Sequence, residues 1–95
     1  MMRYYLLCYD ICCPKRWRLV HDIAKGYGDP LQYSVFQCIL SNERKVLLLE
    51  SLRQVIKHDE DSVMVIDLAD AQAAEPRITR MGKQARFDEP GPMIL

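Results

Sequence analysis

The sequence predicts an α+β fold in which two amphipathic helices cover one face of a small antiparallel sheet. Extended and helical segments alternate in the order strand, helix, bent strand or hairpin, helix, strand and edge strand. Each helical segment has one apolar stripe, which is typical of a helix that packs against a single layer. The first strand is apolar on both sides, which indicates that both faces of the sheet are covered.

The composition is that of an ordinary globular domain. Of the 95 residues, 49% are hydrophobic and 27% are charged, enough apolar material for the modest core of one domain. The formal net charge is zero, which argues against a dedicated nucleic-acid binder unless basic residues are concentrated locally. No apolar run reaches the roughly 20 residues of a membrane span, and no signal-peptide pattern is present. We therefore expect a cytoplasmic protein without a membrane partner, whose four cysteines are reduced thiols.

The first strand and the first helix are separated by a short connection. Residues 4–11 combine aromatic and aliphatic side chains and end at Asp10 and Ile11, which predicts a strand. Pro14 suits a first helical turn, and an apolar stripe that begins with Trp17 extends the predicted helix to about Tyr27. Arg16 lies beside this stripe in the first turn, where it could reach toward the end of the first strand. Two glycines and an Asp-Pro pair then end it.

The middle of the chain predicts a second extended region and a second helix. The alternation of apolar residues changes phase within residues 31–40, which predicts a bulge, a sharp bend or two short strands. Ser41 or Asn42 is expected to cap a helix that runs to about His58. The acidic turn at residues 59–61 is interpreted as a solvated loop.

The C-terminal third has weaker signals. Residues 62–68 alternate as a strand, residues 69–75 are interpreted as a loop, and residues 76–83 are expected to form an edge strand. The resulting fold is a ferredoxin-like βαββαβ sandwich over residues 1–82 with an extra C-terminal strand. The tail, residues 83–95, ends in apolar side chains that are expected to dock on a folded surface.

The pattern of the first strand also predicts an oligomer. Two helices can cover only one face of this sheet, although the first and third strands are apolar on both faces. A second copy of the chain, packed sheet against sheet, would cover the other face. We therefore expect a two-fold homodimer.

Asp10 is the main candidate for chemistry. An Asp that shortly precedes a helix is commonly a cap or a loop acid. In the predicted dimer, a two-fold axis near the strand ends would bring two Asp10 carboxylates together, and a divalent cation would relieve their repulsion. A shared Mg²⁺ ion could then activate water beside a scissile phosphate. Both interpretations stay open from the residues alone.

The other titratable candidates are weaker. Arg16 and Arg18 are placed to contact phosphates, although exposed arginines on a helix are commonly solvated. Tyr9 is expected to pack rather than to react. His21 and His58 lack partners at ligand or triad spacing, so neither is expected to be catalytic.

The chain resembles the CRISPR-associated protein two family, the small subunit of the bacterial spacer-acquisition machinery, described as an endoribonuclease. The resemblance covers roughly residues 3 to 68. Its most specific part is the segment KGYGDPLQYSVFQC at residues 25–38. Shorter matches are the Tyr-Asp-Ile at residues 9–11, the Lys-Arg-Trp-Arg at residues 15–18 and the Asp-Ser-Val at residues 61–63.

The resemblance implies a ferredoxin-like homodimer in which a C-terminal strand, here within residues 83–95, docks on the partner subunit. It implies metal-dependent cleavage of single-stranded RNA or double-stranded DNA, with Asp10 as catalytic residue and Mg²⁺ ligand. It also implies association with the CRISPR integrase. The residues assigned to nucleic-acid binding are Tyr9, Arg16, Arg18 and Phe36.

The chain departs from the family pattern in places, and more than one function stays open. It has Cys12-Cys13-Pro14 after the first strand and Pro30-Leu31 before the Gln-Tyr-Ser-Val-Phe motif, where many members are polar and basic respectively. Residues 69–74 also differ. The first hypothesis is a Mg²⁺-dependent endonuclease. The alternative is a non-catalytic homodimeric adaptor that bridges the integrase and the incoming DNA. A stand-alone RNA-cleaving toxin is a third possibility that rests on fold analogy.

Overall fold

The described chain consists of an antiparallel sheet and helices packed against it. The computed structural model describes residues 1–74 and 78–82. The elements are β1 (Arg3–Asp10), α1 (Pro14–Lys25), β2 (Asp29–Gln32), β3 (Val35–Leu40), α2 (Asn42–Val55), β4 (Ser62–Asp70) and α3 (Ala71–Ala74). In these residues the strand order is β2-β3-β1-β4, and β1 is antiparallel to both of its neighbours. The predicted α+β, ferredoxin-like fold is confirmed.

The hydrophobic core lies between the sheet and helices α1 and α2. β1 contributes Tyr5, Leu7 and Tyr9 from one face, because alternate residues of a strand point the same way. Leu7 of β1 is the register partner of Phe36 of β3, and both side chains are fully buried. Each buried aliphatic or aromatic side chain of this size stabilises the fold by about 1.5–3 kcal/mol. The buried residues of the two helices are Trp17, Val20, His21, Ala24, Leu48 and Leu52.

Both predicted helices end earlier than their apolar patterns indicate. α1 ends at Lys25 rather than Tyr27, and Gly26 closes it through backbone hydrogen bonds to the last turn. α2 begins where predicted, with Ser41 accepting a hydrogen bond from the backbone N–H of Arg44 at 3.3 Å. It ends at Val55 rather than His58 because the next residue already has extended backbone.

The predicted bent strand is a hairpin of two short strands. β2 begins at Asp29, two residues earlier than expected, and a turn at Tyr33 and Ser34 leads into β3. A Cβ atom at Gly28 would collide with the carbonyl oxygen of Gln37 and with the sulfur of Cys38. The glycine is therefore required by the close approach of the chain to β3.

The strand after α2 is longer than predicted. β4 continues to Asp70, which is paired with Arg3 at the start of β1. The register between β1 and β4 shifts in this region, and Ala69 has a positive φ of 91°. A register shift beside a residue with positive φ is typical of a β-bulge, in which one strand carries an extra residue.

The predictions for residues 69–83 were partly wrong. Residues 71–74 form the short helix α3 rather than a loop, because the Asp70 carboxylate accepts a hydrogen bond from the backbone N–H of Gln72 at 2.8 Å and caps it. Residues 78–82 are not in a strand, so the predicted edge strand is absent from that stretch. Residues 76, 77 and 83, and the tail at 83–95 with its predicted docking strand, lie outside the described residues.

The face of the sheet opposite α1 and α2 is apolar and partly exposed. It carries Leu6 and Cys8 from β1, which alternate with the core residues. Ile39, Met64 and Ile66 on the neighbouring strands are 46%, 54% and 36% exposed. We call this surface the open face. The predicted two-sided apolar character of β1 is confirmed, and the homodimer stays a prediction.

One further observation concerns the membrane. In the part of the chain that the structure describes, no helix has both the length and the apolar character needed to cross a bilayer.

Candidate functional site

Asp10 is the last residue of β1 and is exposed to solvent. Its register partner on β4 is Ser62, and strand alternation places it on the open face with Leu6 and Cys8. Within the described residues, its carboxylate makes no hydrogen bond or ion pair. The N-cap of α1 is Cys13, whose side chain makes no capping bond. Asp10 is therefore not a helix cap, and both of its carboxylate oxygens are available to a ligand.

A second aspartate, Asp61, lies beside this strand end and has the opposite environment. Its side chain has no exposed surface. Its carboxylate accepts hydrogen bonds from Arg16 Nε at 2.7 Å and Arg16 Nη2 at 3.1 Å, and from the backbone N–H groups of Cys12 at 3.0 Å and Lys57 at 2.8 Å. These donors, the Arg16 guanidinium first, hold the pKa of Asp61 well below its usual range.

The prediction that residues 59–61 form a solvated loop was wrong for Asp61. A carboxylate can be buried only if its charge and lone pairs are satisfied, and here two backbone groups and one guanidinium satisfy them. The signal in the sequence was Arg16, whose place in the first turn beside the apolar stripe indicated that it reaches toward the end of the first strand. Its partner could not be identified without the pairing of β1 with β4.

Arg16 is engaged by two carboxylates. Besides Asp61, its Nη2 atom lies 3.2 Å from Glu60 Oε1, and its side chain is 22% exposed. These hydrogen bonds, chiefly the one to Asp61, raise the pKa of the guanidinium above its usual value. The predicted contact between Arg16 and a phosphate stays a prediction, and it would have to compete with both acids.

Tyr9 and Phe36, which were assigned to nucleic-acid binding, lie in the core. Phe36 has no exposed surface and Tyr9 is 6% exposed. Their ring centroids are 6.3 Å apart, and the Tyr9 hydroxyl lies 3.2 Å from Nδ1 of His21. Burial raises the pKa of Tyr9 far above its usual value. In this structure the two rings support the end of β1 from beneath and present almost no surface to a ligand.

Arg18 lies at a groove that the sequence did not reveal. The groove has a volume of about 470 Å³ and lies between the end of β1, the first turns of α1 and the β2–β3 turn. Arg18 is exposed there, and within the described residues it makes no ion pair. The lining residues are Ile11, Cys12, Pro14, Lys15, Trp17, Arg18 and Tyr33.

Two aromatic residues of this groove were missed as functional candidates. Trp17 was predicted as part of the core stripe, and it is 6% exposed. Tyr33 lies in the Gln-Tyr-Ser-Val-Phe segment, and its ring stacks on Trp17 with centroids 4.4 Å apart and an interplanar angle of 13°. An aromatic residue in a predicted bend was the available signal, but nothing in the sequence placed it beside the first turn of α1.

The side chains at the end of β1 offer oxygen atoms, which are the ligand type that a divalent cation such as Mg²⁺ prefers. Residues 1–74 and 78–82 contain no group of three or more His, Cys, Asp or Glu side chains that could hold a metal ion. One chain offers the exposed carboxylate of Asp10, with the hydroxyl of Ser62 on the neighbouring strand. Carboxylate and hydroxyl oxygens, completed by water, are the ligands that Mg²⁺ accepts.

Comparison with known proteins gives a consistent result. The family model described as CRISPR associated protein Cas2 matches residues 2–75. The CRISPR-associated endoribonuclease Cas2 1 of Rhodospirillum rubrum is 37% identical over 91 residues, which cover 96% of this chain and 89% of the relative. The CRISPR-associated endoribonuclease Cas2 of Geobacter sulfurreducens is 35% identical over 83 residues, 87% of either chain.

A solved structure agrees with these sequence matches. The crystal structure of Streptococcus pyogenes Cas2 superimposes with a TM-score of 0.73 and 28% identity. The superposition covers 86% of this chain and 100% of the other.

Proposed function

Because the chain belongs to the Cas2 family of CRISPR-associated proteins, we propose that it is a metal-dependent endonuclease of CRISPR spacer acquisition. The two relatives from Rhodospirillum rubrum and Geobacter sulfurreducens are called endoribonucleases, which supports cleavage of phosphodiester bonds in RNA. The candidate substrates are single-stranded RNA and double-stranded DNA. The observation that carries the proposal is Asp10, an exposed carboxylate without an internal partner among the described residues, at the end of the central strand.

The active unit in this proposal is a homodimer formed through the open face. Ile39, Met64 and Ile66 expose apolar surface around β1, and a second copy would remove this surface from water. Stable interfaces bury about 800 Å² on each partner, which a face of several strands can supply. Because Asp10 lies at one end of this face, a two-fold axis near that end would bring both carboxylates together.

In this dimer, the Asp10 carboxylates of the two copies would share one Mg²⁺ ion, and the hydroxyl of Ser62 lies on the adjacent strand. When bound, the ion would supply an activated water and neutralise charge on the scissile phosphate. The remaining roles belong to the chain itself. Lys15 and Arg18 would bind backbone phosphates at the groove. Asp61 and Arg16 would fix the connection that follows Asp10.

One observation favours the adaptor function as a second candidate. Arg16, predicted to bind phosphate, is already engaged by Asp61 and Glu60, so fewer cations are available at the proposed centre than the sequence indicated. In that case the dimer would bridge the CRISPR integrase and the incoming DNA in the cytoplasm, and Asp10 would have no catalytic role.

Asp10→Asn tests the catalytic proposal. We expect metal-dependent cleavage of RNA or duplex DNA to fall by about 100-fold or more, as when a group that stabilises transition-state charge is removed. Asp59→Asn is the matched control, because Asp59 is also exposed and has no ion pair in the described part of the chain. Cleavage is measured with purified protein with and without Mg²⁺.

The outcomes separate the hypotheses. Cleavage that survives in Asp10→Asn would remove this residue from the mechanism. An inactive wild-type protein that still forms a complex with integrase and DNA would establish the adaptor instead. Growth arrest on expression, without integrase binding, would indicate the toxin.

Met64→Lys tests the dimer. Met64 is 54% exposed on the open face, and a buried lysine there would oppose association. We expect a monomer by light scattering and loss of the metal-dependent cleavage. Val46→Lys is the control, because Val46 is 55% exposed but lies on α2. A Met64→Lys protein that remains a dimer would exclude the open face as the interface.

A further inference from the structure

We propose that Tyr33 and the groove beside it bind an unpaired nucleobase, so that this end of the molecule engages single-stranded nucleic acid. This inference rests on the proposed nuclease function, and it selects one substrate class from those that the function leaves open. The ligand is a base stacked on the ring of Tyr33, with its phosphates beside Lys15 and Arg18.

The ring of Tyr33 has a rigid support. It stacks on Trp17 at 4.4 Å between centroids, and Trp17 stacks in turn on His21 at 4.6 Å, both with interplanar angles of 13°. The indole N–H of Trp17 donates to Ser34 Oγ at 3.0 Å, which fixes the orientation of the indole. The three rings thus form a stack that begins in the core at His21 and reaches the surface at Tyr33.

Among the described residues, Tyr33 is the most exposed ring of this stack. His21 and Trp17 are 3% and 6% exposed, whereas Tyr33 is 47% exposed. A pre-organised aromatic surface at a groove is what proteins use to bind bases without sequence preference, because every base has a π-face. The alternative is that Tyr33 only covers Trp17 as ordinary packing, and the experiment below distinguishes the two.

The groove supplies the charge that a nucleic-acid strand requires. Lys15 and Arg18 are three residues apart on α1, so they lie on the same side of the helix. Both are exposed and line the groove, and neither has an ion pair within the described residues. The groove volume of about 470 Å³ lies within the range of roughly 300–1,000 Å³ that small-ligand sites occupy, enough for a nucleobase.

The groove begins one residue after the proposed catalytic residue in the chain. Ile11, which directly follows Asp10, forms part of its lining. A base held at Tyr33 would therefore bring neighbouring phosphates of the same strand toward the end of β1. A base within a duplex is stacked on both faces and paired along one edge, so only an unpaired base can offer a face to Tyr33.

The chain contains its own reporter for this site. Trp17 is the single tryptophan and lies directly beneath Tyr33. A short single-stranded oligoribonucleotide is titrated into the protein in a chelating buffer, so that cleavage does not interfere. We expect a change in Trp17 fluorescence, and we expect Tyr33→Ala to weaken binding about tenfold. Tyr33→Phe keeps the ring and should bind like the wild type.

Two further probes identify the contact as stacking. An abasic oligonucleotide of the same length should bind wild type and Tyr33→Ala equally, because it has a backbone but no bases. Lys15→Ala and Arg18→Ala should each reduce the slope of log affinity against log salt by about 0.7, the value for one single-strand phosphate contact. Lys25→Ala is the charge control at the other end of α1, where Lys25 pairs with Asp22.

Tyr27→Ala is the aromatic control. Tyr27 follows the end of α1 and lies beneath the Arg44 guanidinium at 4.6 Å, away from the groove. Equal affinities of wild type and Tyr33→Ala for the base-containing strand would overturn the proposal. The proposal would also be overturned if Tyr33→Ala lost as much affinity for the abasic strand as for the base-containing strand. A loss of affinity in Tyr33→Phe as large as that in Tyr33→Ala would overturn it too.

This test is independent of the proposed nuclease function. Binding is measured without metal, so inactive Asp10 would leave a Tyr33-dependent affinity intact. Conversely, cleavage could depend on Asp10 while the affinity for the oligonucleotide is unchanged in Tyr33→Ala. That result would overturn the stacking site and leave the nuclease proposal standing.

Discussion

Two aspartates at the same end of the sheet differ in solvent exposure and in hydrogen bonding. Asp10 ends β1, and Asp61 directly precedes the first residue of β4, Ser62, which is the register partner of Asp10. Asp61 has no exposed side-chain surface and accepts four hydrogen bonds. Asp10 is exposed and, within the described residues, accepts none. The comparison shows that an available carboxylate and a structural one can lie side by side.

The two environments are connected. The Asp61 carboxylate accepts hydrogen bonds from the backbone N–H of Cys12 and from the guanidinium of Arg16 in the first turn of α1. It thereby fixes the connection between β1 and α1, which begins one residue after Asp10. The buried acid thus positions the segment that follows the proposed metal ligand and lines the groove. Substitutions at the two sites should therefore separate stability from activity.

Asp61→Ala is expected to cause the largest effect on stability. The change leaves the backbone N–H groups of Cys12 and Lys57 without their acceptor and removes the partner of Arg16. Buried donors without acceptors are strongly destabilising. We expect the midpoint of thermal unfolding to fall by several degrees, as measured by circular dichroism. An unchanged midpoint would mean that Asp61 is not the structural acid.

Arg16→Ala should cause the next largest loss of stability. It removes two hydrogen bonds to Asp61 and the contact with Glu60, but the backbone donors to Asp61 remain. Arg16→Lys should recover only part of this loss, because an ammonium group cannot reproduce the forked geometry of a guanidinium. In a double-mutant cycle, Arg16→Ala and Asp61→Ala should be clearly non-additive. Additive losses would show that the pair is not coupled.

Acid should reduce the difference in stability between wild type and Asp61→Asn. An aspartate in an unfolded chain has a pKa of about 3.9, and the Arg16 guanidinium holds the folded-state pKa of Asp61 below this value. The stabilisation is therefore complete above about pH 4 and is lost as the pH falls further, because the unfolded state binds more protons. Urea unfolding between pH 7 and pH 3 measures it. If the difference in free energy of unfolding between wild type and Asp61→Asn grew as the pH fell, the pKa of Asp61 would not be lowered in the folded state.

Asp10→Asn should have the smallest effect on stability. Exposed residues without partners usually change the free energy of unfolding by less than about 0.5 kcal/mol. If two copies of Asp10 approach in the dimer, the substitution should strengthen association in a chelating buffer by removing like-charge repulsion. Added Mg²⁺ should then strengthen the wild-type dimer but not the variant. Sedimentation in both buffers tests this, and identical behaviour would separate Asp10 from the interface.

Much of the fold was predictable because its signals are local. The alternation in β1, the proline at the start of α1 and the Ser41 cap each act within a few residues. The errors lie where a distant contact decides the outcome. β4 extends to Asp70 because β1 provides a neighbour there, and residues 71–74 are helical because Asp70 caps them.

The candidate site was predictable only in part. Asp10 and Arg18 could be selected from the sequence, because a charged residue at a strand end or a helix surface is visible in the pattern. Phe36 and Tyr9 were assigned to nucleic-acid binding, but their burial gives them a supporting place in the core. Tyr33 could not be recognised, because its significance depends on Trp17, a residue of another element.

The sequence by itself determined the α+β class, the starts of α1 and α2, and the apolar character of both faces of β1. Periodicity and capping are properties of neighbouring residues, so they can be recognised without a structure. The tertiary structure decided which aspartate is buried and which is exposed, and it placed Tyr33 on Trp17. Those outcomes depend on the desolvation of a carboxylate and on the meeting of two rings, and both arise only when distant segments pack together.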